Sequence, residues 1–173
     1  MIFMSKGSQF AVLFAVSLTL LGQAQDDSHR SMSMMPRAAG GRQLLDFPPQ
    51  LREHMLGNMR GHLEAVGEIL EALAARDGAK AAMIAETRLG LHSPGAAACN
   101  PTQGANTTAM AAMMAEHMPD SMRELGFSMH EAASRFAHEA AKAQQSNDLK
   151  PVMASLAEVT QRCAACHAAY RLN

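Results

Sequence analysis

The apolar residues of the C-terminal segment recur at alternating steps of four and three residues, and two cysteines belong to that series. The series is Val152, Leu156, Val159, Cys163, Cys166 and Tyr170. Steps of three and four residues place side chains on one face of an α-helix. Both cysteines are therefore predicted on the buried face of a C-terminal helix, which has Pro151 in its first turn, where a helix tolerates proline.

A first long helix is predicted near the start of the mature chain. Asp46-Phe47-Pro48-Pro49 offers an N-cap candidate followed by prolines, and Asp77-Gly78 is a natural stop. The predicted buried face of this helix consists of Leu56, Met59, Leu63, Val66, Leu70 and Leu73, with Met55, His62 and Ile69 beside it.

Two further helices complete the pattern, over about 79–89 and from 119 to about 145. A long loop over 91–108 and a short helical piece over 109–118 separate them. The predicted buried face of the third helix consists of Met122, Leu125, Met129, Ala133, Phe136 and Ala140. No segment shows strand alternation, and the connections are mostly short. We therefore expect an all-α fold, an antiparallel four-helix bundle with up-down-up-down topology over residues 46–173.

Cys163-Ala164-Ala165-Cys166-His167 is a C-x-x-C-H sequence, which is typical of c-type haem attachment. Two thiols three residues apart lie on one helical face, and each can add to one vinyl group of a haem. The next residue, His167, is then held beneath the iron as an axial ligand. We therefore expect one haem c within the bundle, near the C-terminal end of the fourth helix, bound covalently to Cys163 and Cys166.

Other functions of a cysteine pair fit this motif less well. A structural zinc site needs four ligands, and no second Cys or His pair stands at the usual short spacing. A thioredoxin-like pair belongs at a helix N-terminus, where the helix dipole lowers a thiol pKa, whereas this pair lies near a helix C-terminus. A disulfide between Cys163 and Cys166 would strain the helix.

The N-terminus has the layout of a secretory signal peptide. Lys6 precedes an apolar run over 10–21, and Gly22-Gln23-Ala24 places small residues at cleavage-site positions. The run is shorter than the roughly 20 residues that span a bilayer as a helix. We expect a signal peptide over 1–24, a flexible leader over 25–45, and a mature protein in the periplasm with no membrane span.

The net charge and the lack of catalytic motifs argue against nucleic-acid binding and enzymatic activity. The formal net charge is −1, from 15 basic and 16 acidic residues, so there is no positive field to attract nucleic acid. No Ser-His-Asp order and no paired-carboxylate site stands out, and Glu64, Glu68 and Glu71 are typical of a solvated helix face. We expect neither a nucleic-acid-binding protein nor an enzyme.

The motif extends to C-x-x-C-H-x-x-Y-R, from Cys163 to Arg171, at the end of a four-helix bundle. In this it resembles the class II cytochromes c, which comprise cytochrome c-prime and its low-spin relatives. The resemblance covers about residues 48–173, although outside the motif only helix pattern and length match. It implies a periplasmic monohaem cytochrome, often a homodimer, that exchanges single electrons with a redox partner protein or binds a diatomic gas such as NO or CO.

The resemblance also implies roles for the two residues that extend the motif. Arg171 would lie beside the haem edge, and Tyr170 would pack near it. For Arg171, a solvated position at the chain terminus is an equal alternative.

The residue on the other face of the iron decides between electron transfer and gas binding. In the expected topology, the end of the fourth helix lies beside the start of the first. Low-spin members of the family use a Met from this part of the first helix, which makes Met55 the sixth ligand, with Met59 as the alternative. A register shifted by three residues puts Arg52 in that position and leaves an open iron covered by Leu56.

Histidines near the same end of the bundle offer bis-His ligation instead. They are His54, His62, His92 and His117. Most of the eight histidines are expected at the surface, and no partner is evident for His130 or His138.

A different class of function is a periplasmic Met/His-rich copper-binding bundle. The densest group of soft ligands is Met110, Met113, Met114, His117 and Met118. A Met-rich flap packed over haem would explain the same spacing. Cys99, the third cysteine, lies in the long loop, where an exposed thiol could form an intermolecular disulfide or remain unpaired.

Overall fold

The computed structural model describes residues 41–100, 108–146 and 148–173. The predicted signal peptide, residues 1–24, and residues 25–40 of the predicted leader lie outside the described residues. The described elements, in chain order, are β1 (Gln43–Leu45), α1 (Pro49–Ala74), α2 (Gly78–Arg88), α3 (Ala96–Cys99), α4 (Ala109–His117), α5 (Asp120–Ser146), α6 (Lys150–Ala169) and β2 (Tyr170–Leu172). Within this part of the chain, no helix has both the length and the apolar composition needed to cross a membrane.

The four long helices, α1, α2, α5 and α6, pack as a bundle. α1 packs against α2, α2 against α5, and α5 against α6. The connections from α1 to α2 and from α5 to α6 are only three residues long, so each of these pairs is antiparallel. The backbone N–H of Gly78, at the start of α2, donates to the side chain of Gln144, near the end of α5, at 2.9 Å. The third pair is therefore antiparallel as well, and the predicted all-α four-helix bundle is confirmed.

α1 ends earlier than the predicted stop at Asp77-Gly78. Its last residue is Ala74, and a Schellman motif follows, in which the backbone N–H of Asp77 donates to the carbonyl of Ala72 at 2.8 Å. Arg76 occupies the left-handed position of this motif, with a φ of 58°. Asp77 then caps α2, because its carboxylate accepts from the third backbone N–H of that helix at 2.9 Å.

The predicted buried faces of the last two long helices agree with the structure. On α5 the buried positions include Met122, Met129, Ala133, Phe136 and Ala140, and Leu125 is half-buried. On α6 they are Val152, Leu156 and Val159.

The predicted buried face of α1 is partly wrong: Leu73 is buried as predicted, but the buried stripe is displaced toward Met55 and Ile69. Leu63 and Leu70 were expected inside and are 75% and 46% exposed. The buried residues are Leu51, Met55, Ala65, Ile69, Ala72 and Leu73. Ala65 and Ala72 on this neighbouring stripe are buried in the larger core, where small side chains allow close helix packing.

A pair of short parallel strands closes one end of the bundle. No strand was predicted there, because neither segment shows alternation of apolar and polar residues. β1 pairs with β2, with Gln43 opposite Tyr170 and Leu45 opposite Leu172. β1 belongs to the segment assigned to the flexible leader, and β2 to the segment assigned to the fourth helix, which in fact ends at Ala169.

Side-chain contacts hold the C-terminus against the start of α1. The Arg52 Nε donates to the Asn173 carbonyl at 2.7 Å, and the Asn173 amide donates to the Asp46 carboxylate at 3.1 Å. Asp46 therefore contacts the C-terminus rather than capping α1, whose N-cap is Pro48. The C-terminal end of the chain therefore contacts the start of α1, at the end of the bundle where the predicted topology brings the first and fourth helices together.

The buried side chains form two cores. The larger core lies between the four long helices and consists of Ala65, Ile69, Ala72, Leu73, Ala81, Ile84, Ala85, Leu89, Met129, Ala132, Ala133, Phe136, Ala137, Ala140, Ala143, Val152, Leu156 and Val159. The smaller core lies at the end closed by the strands and consists of Leu45, Phe47, Leu51, Met55, Ala98, Cys99, Met114, Met118, Met122 and Tyr170. The segment between α2 and α5 therefore covers the same end of the bundle as the strands.

Candidate haem site

A cavity of about 510 Å³ lies at the end of the bundle that contains the smaller core. α1, α5, the end of α6 and both strands contribute to its walls. Most of the lining is apolar, and five of the lining residues are methionines: Met55, Met59, Met118, Met122 and Met129. The volume lies within the roughly 300–1,000 Å³ of typical small-molecule and cofactor pockets.

The cysteine motif lies in the last turns of α6, beside this cavity. Cys166 and His167 line the cavity, and Cys163, one turn earlier, packs against the larger core. Both cysteines are half-buried free thiols. Burial raises the pKa of the Cys163 thiol, and burial together with the neighbouring Cys163 raises the pKa of the Cys166 thiol. A thioredoxin-like pair requires a lowered thiol pKa, so these thiols do not suit that chemistry.

α1 provides a second wall of the cavity, with the residues predicted near the iron. Met55, Leu56 and Met59 all line it. Met55 is 6% exposed, whereas Leu56 and Met59 are half-buried. Arg52 is not a lining residue, and its side chain is held by the C-terminal Asn173. The structure therefore brings the predicted methionines, and Leu56, to the same cavity as the cysteine motif.

Two histidines meet at this cavity, and for one of them, His130, the sequence showed no evident partner. The rings of His62 on α1 and His130 on α5 pack edge to face, with centroids 6.1 Å apart. His130 is 2% exposed, and its Nδ1 lies 2.6 Å from the Leu89 carbonyl oxygen. Nδ1 therefore donates, which leaves the lone pair on Nε2. The absence of an evident partner for His130 was misleading, because its partners lie on other helices.

Burial keeps both imidazoles neutral. It lowers the pKa of His130, against the opposing effect of the hydrogen bond to Leu89. Burial, with smaller contributions from His130 and the positively charged Arg88, lowers the pKa of His62 to about 4. Both side chains can therefore accept a hydrogen bond or a metal at neutral pH.

The other histidines considered as iron ligands do not line the cavity. The Nε2 of His54 lies 3.1 Å from the side-chain nitrogen of Asn58. His92 is exposed, with its Nδ1 2.6 Å from the carboxylate of Glu86, and His117 is exposed as well. Of the four bis-His candidates, His62 alone lies where it could approach a haem.

Tyr170 and Arg171, the residues that extend the motif, both line the cavity. Tyr170 is 9% exposed, and its hydroxyl forms a hydrogen bond of 2.5 Å with the hydroxyl of Ser121 on α5. Arg171 is exposed at the mouth. Both residues therefore contribute to the walls of the candidate haem cavity.

Cys99 is not the exposed loop thiol that was considered as a source of intermolecular disulfides. It ends the short helix α3, is 7% exposed and lines the cavity. Burial, reinforced by the nearby Cys166 and opposed by Arg123, raises the pKa of its thiol to about 11. A buried, protonated thiol reacts poorly, so the structure supports an unpaired cysteine here.

The Met-rich segment packs as a cover over this end of the bundle. Met114 and Met118 are buried in the smaller core, and Met110 and Met113 pack against it, whereas His117 is exposed. Their side chains thus do not surround a common point with the histidine. Among residues 41–100, 108–146 and 148–173, no group of three His, Cys, Asp or Glu side chains is arranged to hold a metal ion.

Several lining residues had no local signal in the sequence. Arg42 and Leu45 come from the segment assigned to the leader, Cys99 from the predicted long loop, and no partner was evident for His130. Each reaches the cavity through contacts between segments that are distant in sequence. The lining fits a haem, because the walls are mostly apolar and Cys166 and His167 of the cysteine motif lie on one of them, with Cys163 one turn earlier on α6.

Comparison with known proteins agrees with this site. A family model described as Cytochrome C' matches residues 49–171, a region that includes Cys163, Cys166 and His167. Comparisons with curated proteins and with solved structures give no significant match. The chain therefore belongs to the cytochrome C' family and is a c-type cytochrome.

Proposed function

We propose that this protein is an exported monohaem cytochrome that transfers single electrons or binds a small gas such as NO or CO, and that it is not an enzyme. The observation that carries the proposal is the cavity of about 510 Å³, which has Cys166 and His167 on one wall and Met55 on another. A thiol, an imidazole and a thioether around one apolar space are the protein groups that c-type haem sites use.

Cys163 and Cys166 would hold one haem by thioether bonds, since each thiol can add across one vinyl group. Cys166 lines the cavity, and Cys163 is half-buried one turn earlier on α6, so a haem bound to both would lie against this wall. His167 follows directly and would supply an axial imidazole. The haem itself supplies an iron that gains and loses one electron or binds a diatomic ligand.

Met55 is the residue best placed to complete the iron coordination. It is the most buried of the three candidates on α1 and lies in the smaller core. Met59 lies one turn further along the same wall, and Leu56 between them has no atom that can bind iron. Ligation by Met55 would favour electron transfer, whereas an iron covered by Leu56 would be open to gas.

The apolar part of the lining would limit the access of water to a bound haem. Apolar side chains dominate the walls, and Tyr170 is held in place by its hydrogen bond to Ser121. A dry site disfavours the extra positive charge of ferric haem, which raises the reduction potential. The side chains of α4, which pack over the same end, contribute to this exclusion.

We propose the periplasm as the site of action, because the N-terminal sequence predicts export and c-type haem is attached after export. The partners proposed are a redox protein or a diatomic gas, and a homodimer is consistent with the family. Nothing in the charge balance favours nucleic acid.

The first test is the optical spectrum and haem stain of the exported protein, purified from cells that mature c-type cytochromes. Haem that survives denaturing electrophoresis is covalent. A low-spin spectrum that carbon monoxide does not change would support Met–His ligation and electron transfer. A high-spin spectrum that carbon monoxide changes would support an open iron and gas binding. Absence of haem absorbance would refute the proposal and favour the copper-binding alternative.

The ligand itself is tested by Met55→Ala. We expect conversion from low to high spin, since alanine cannot bind the iron, and a lower potential because the thioether is lost. Met153→Ala is the matched control, because Met153 is 48% exposed on α6. If Met55→Ala stays low-spin and Met59→Ala does not, Met59 is the ligand.

A further inference from the structure

Arg42 is one of two arginines at the mouth of the cavity, and it comes from the segment that precedes the bundle. Arg42 and Arg171 both line the cavity and are both exposed. Arg42 and β1 lie before residue 49, where the match to the family begins. This part of the site is therefore not accounted for by the match to the family.

The strand pair determines where Arg42 lies. Leu44 is the register partner of Arg171 in the parallel pair. Arg42 directly precedes Gln43, the register partner of Tyr170, so the strand pair brings Arg42 to the start of β2. The segment is held firmly, because Leu45 and Phe47 are each only 5% exposed.

Both arginines lack a carboxylate partner within the part of the chain that the structure describes. Other arginines form ion pairs: Arg60 with Glu53, Arg88 with Glu64 and Glu68, Arg123 with Asp120, and Arg135 and Arg162 with Glu158. The cavity lining contains no Asp or Glu. The mouth therefore holds two guanidinium groups whose negative counterpart is not among the described side chains.

We propose that Arg42 binds a propionate carboxylate of the haem, beside Arg171, so that the strand before the bundle forms part of the haem site. The inference rests on the proposed function. A haem has an apolar ring and two carboxylates, which match the apolar walls and the two cations at the mouth. Guanidinium binds carboxylate with two parallel hydrogen bonds, which makes this pairing strong and directional.

The test compares Arg42→Gln with Arg42→Lys in the haem-loaded protein. A cation beside the propionate disfavours ferric iron, so we expect Arg42→Gln to lower the midpoint potential. Arg42→Lys keeps the charge but loses the paired hydrogen bonds, so it should recover part of the fall. The propionate bending band in the resonance Raman spectrum should shift in Arg42→Gln, an effect that a merely structural role would not produce.

Arg60→Gln is the matched control, because it removes a charge on α1 that is already paired with Glu53. Arg42 is exposed, so its substitution leaves the buried packing intact. The proposal is overturned if Arg42→Gln changes neither potential nor Raman band while Arg171→Gln changes both. It is also overturned if Arg42→Gln only slows the reaction with an acidic redox protein, since Arg42 would then belong to a docking surface.

Failure of the proposed function is recognised separately. Absence of covalent haem in the unsubstituted protein would refute the proposed function and this inference together. If covalent haem is present and the Arg42 variants behave like the unsubstituted protein, the inference alone fails.

Discussion

The two cores of this bundle are built from different side chains. Nine of the 18 residues of the larger core are alanines and one is a methionine, whereas the smaller core has four methionines and one alanine among ten residues. Alanines let helix backbones approach closely and leave little choice of side-chain conformation. Methionine is flexible and fills irregular space. The first core is therefore suited to rigid helix packing, and the second to enclosing another molecule.

The cores also differ in the elements that build them. The larger core is formed by the long helices alone, while the smaller core requires β1, α3, α4 and β2. Short elements contribute little stability of their own. We infer that the four long helices stabilise the fold. The end of the bundle that contains the smaller core is then well ordered only when the cavity is occupied.

The largest expected effect comes from removing the covalent link to haem. Cys163→Ala combined with Cys166→Ala should abolish haem staining completely. Apolar cavity walls without a bound group lose their packing partners, so amide exchange should accelerate in β1, α4 and β2. Exchange in α2 and the middle of α5 should change much less. Hydrogen exchange followed by mass spectrometry measures both regions in one experiment.

A substitution in the larger core is the control for the double cysteine variant. Phe136, 1% exposed, lies in the larger core. Phe136→Ala should lower the free energy of unfolding by about 3–5 kcal/mol with covalent haem retained. Equal loss of protection throughout the bundle in the cysteine variant would contradict the division into two differently supported regions.

The larger core was the more predictable of the two regions. On α5 and α6 the apolar residues of the predicted faces are mostly buried, so spacing alone identified those faces. On α1 two stripes compete. Leu63 and Leu70 made one stripe look more apolar, yet the stripe with Ala65 and Ile69 is buried. Spacing does not reveal how closely a neighbouring helix approaches.

In the region of the smaller core, the cysteine motif was predictable from the sequence, but the other residues that line the cavity were not. The motif predicted a haem site that includes Cys166 and His167, because a covalent attachment site has a fixed spacing. Arg42 and His130 reach the same cavity through partners far away in sequence. A three-residue strand has too few residues to show alternation, and the buried position of His130 depends on the Leu89 carbonyl of another helix. Such contacts are properties of the assembled fold.

The free energy of unfolding should fall in acid because of two histidines between the two cores. His62 and His130 lie there, and burial lowers the pKa of both, that of His62 to about 4. In the unfolded chain each imidazole binds a proton below its ordinary pKa of about 6.5. Stability is therefore fully present above about pH 6.5 and falls as the pH drops toward 4, by on the order of 2–3 kcal/mol for His62.

Denaturant unfolding at pH 7 and pH 5 measures this loss. The double variant His62→Gln, His130→Asn should lose less stability between the two pH values, because neither replacement titrates. Asn at position 130 can still donate toward the Leu89 carbonyl. His138→Gln, at an exposed position on α5, is the control. An unchanged difference between pH 7 and pH 5 in the double variant would show that these histidines do not cause the acid sensitivity.

The smallest effect comes from adding one methyl group to each region. A methyl at Gly78 would overlap the backbone carbonyl of Ala140 on the facing helix, whereas a methyl at Gly126 would meet the side-chain sulfur of Cys99 at 2.9 Å. Backbone in a packed bundle cannot move aside easily, so Gly78→Ala should cost about 1–3 kcal/mol. Gly126→Ala should be near neutral, because the sulfur can shift and alanine favours helix by up to about 1 kcal/mol.

Gly67→Ala isolates the helix preference, because a methyl there meets nothing within 4 Å. It should raise the free energy of unfolding by up to about 1 kcal/mol. Gly126 is likewise in a helix interior, so the difference between Gly126→Ala and Gly67→Ala reports packing, as a shift in denaturant midpoint at constant slope. Gly78 is the first residue of α2, where alanine gains less helix preference, so the same subtraction gives an upper bound on its packing cost. If Gly78→Ala and Gly126→Ala differ from this reference equally, the two regions are equally rigid, and their composition does not determine how they accommodate added volume.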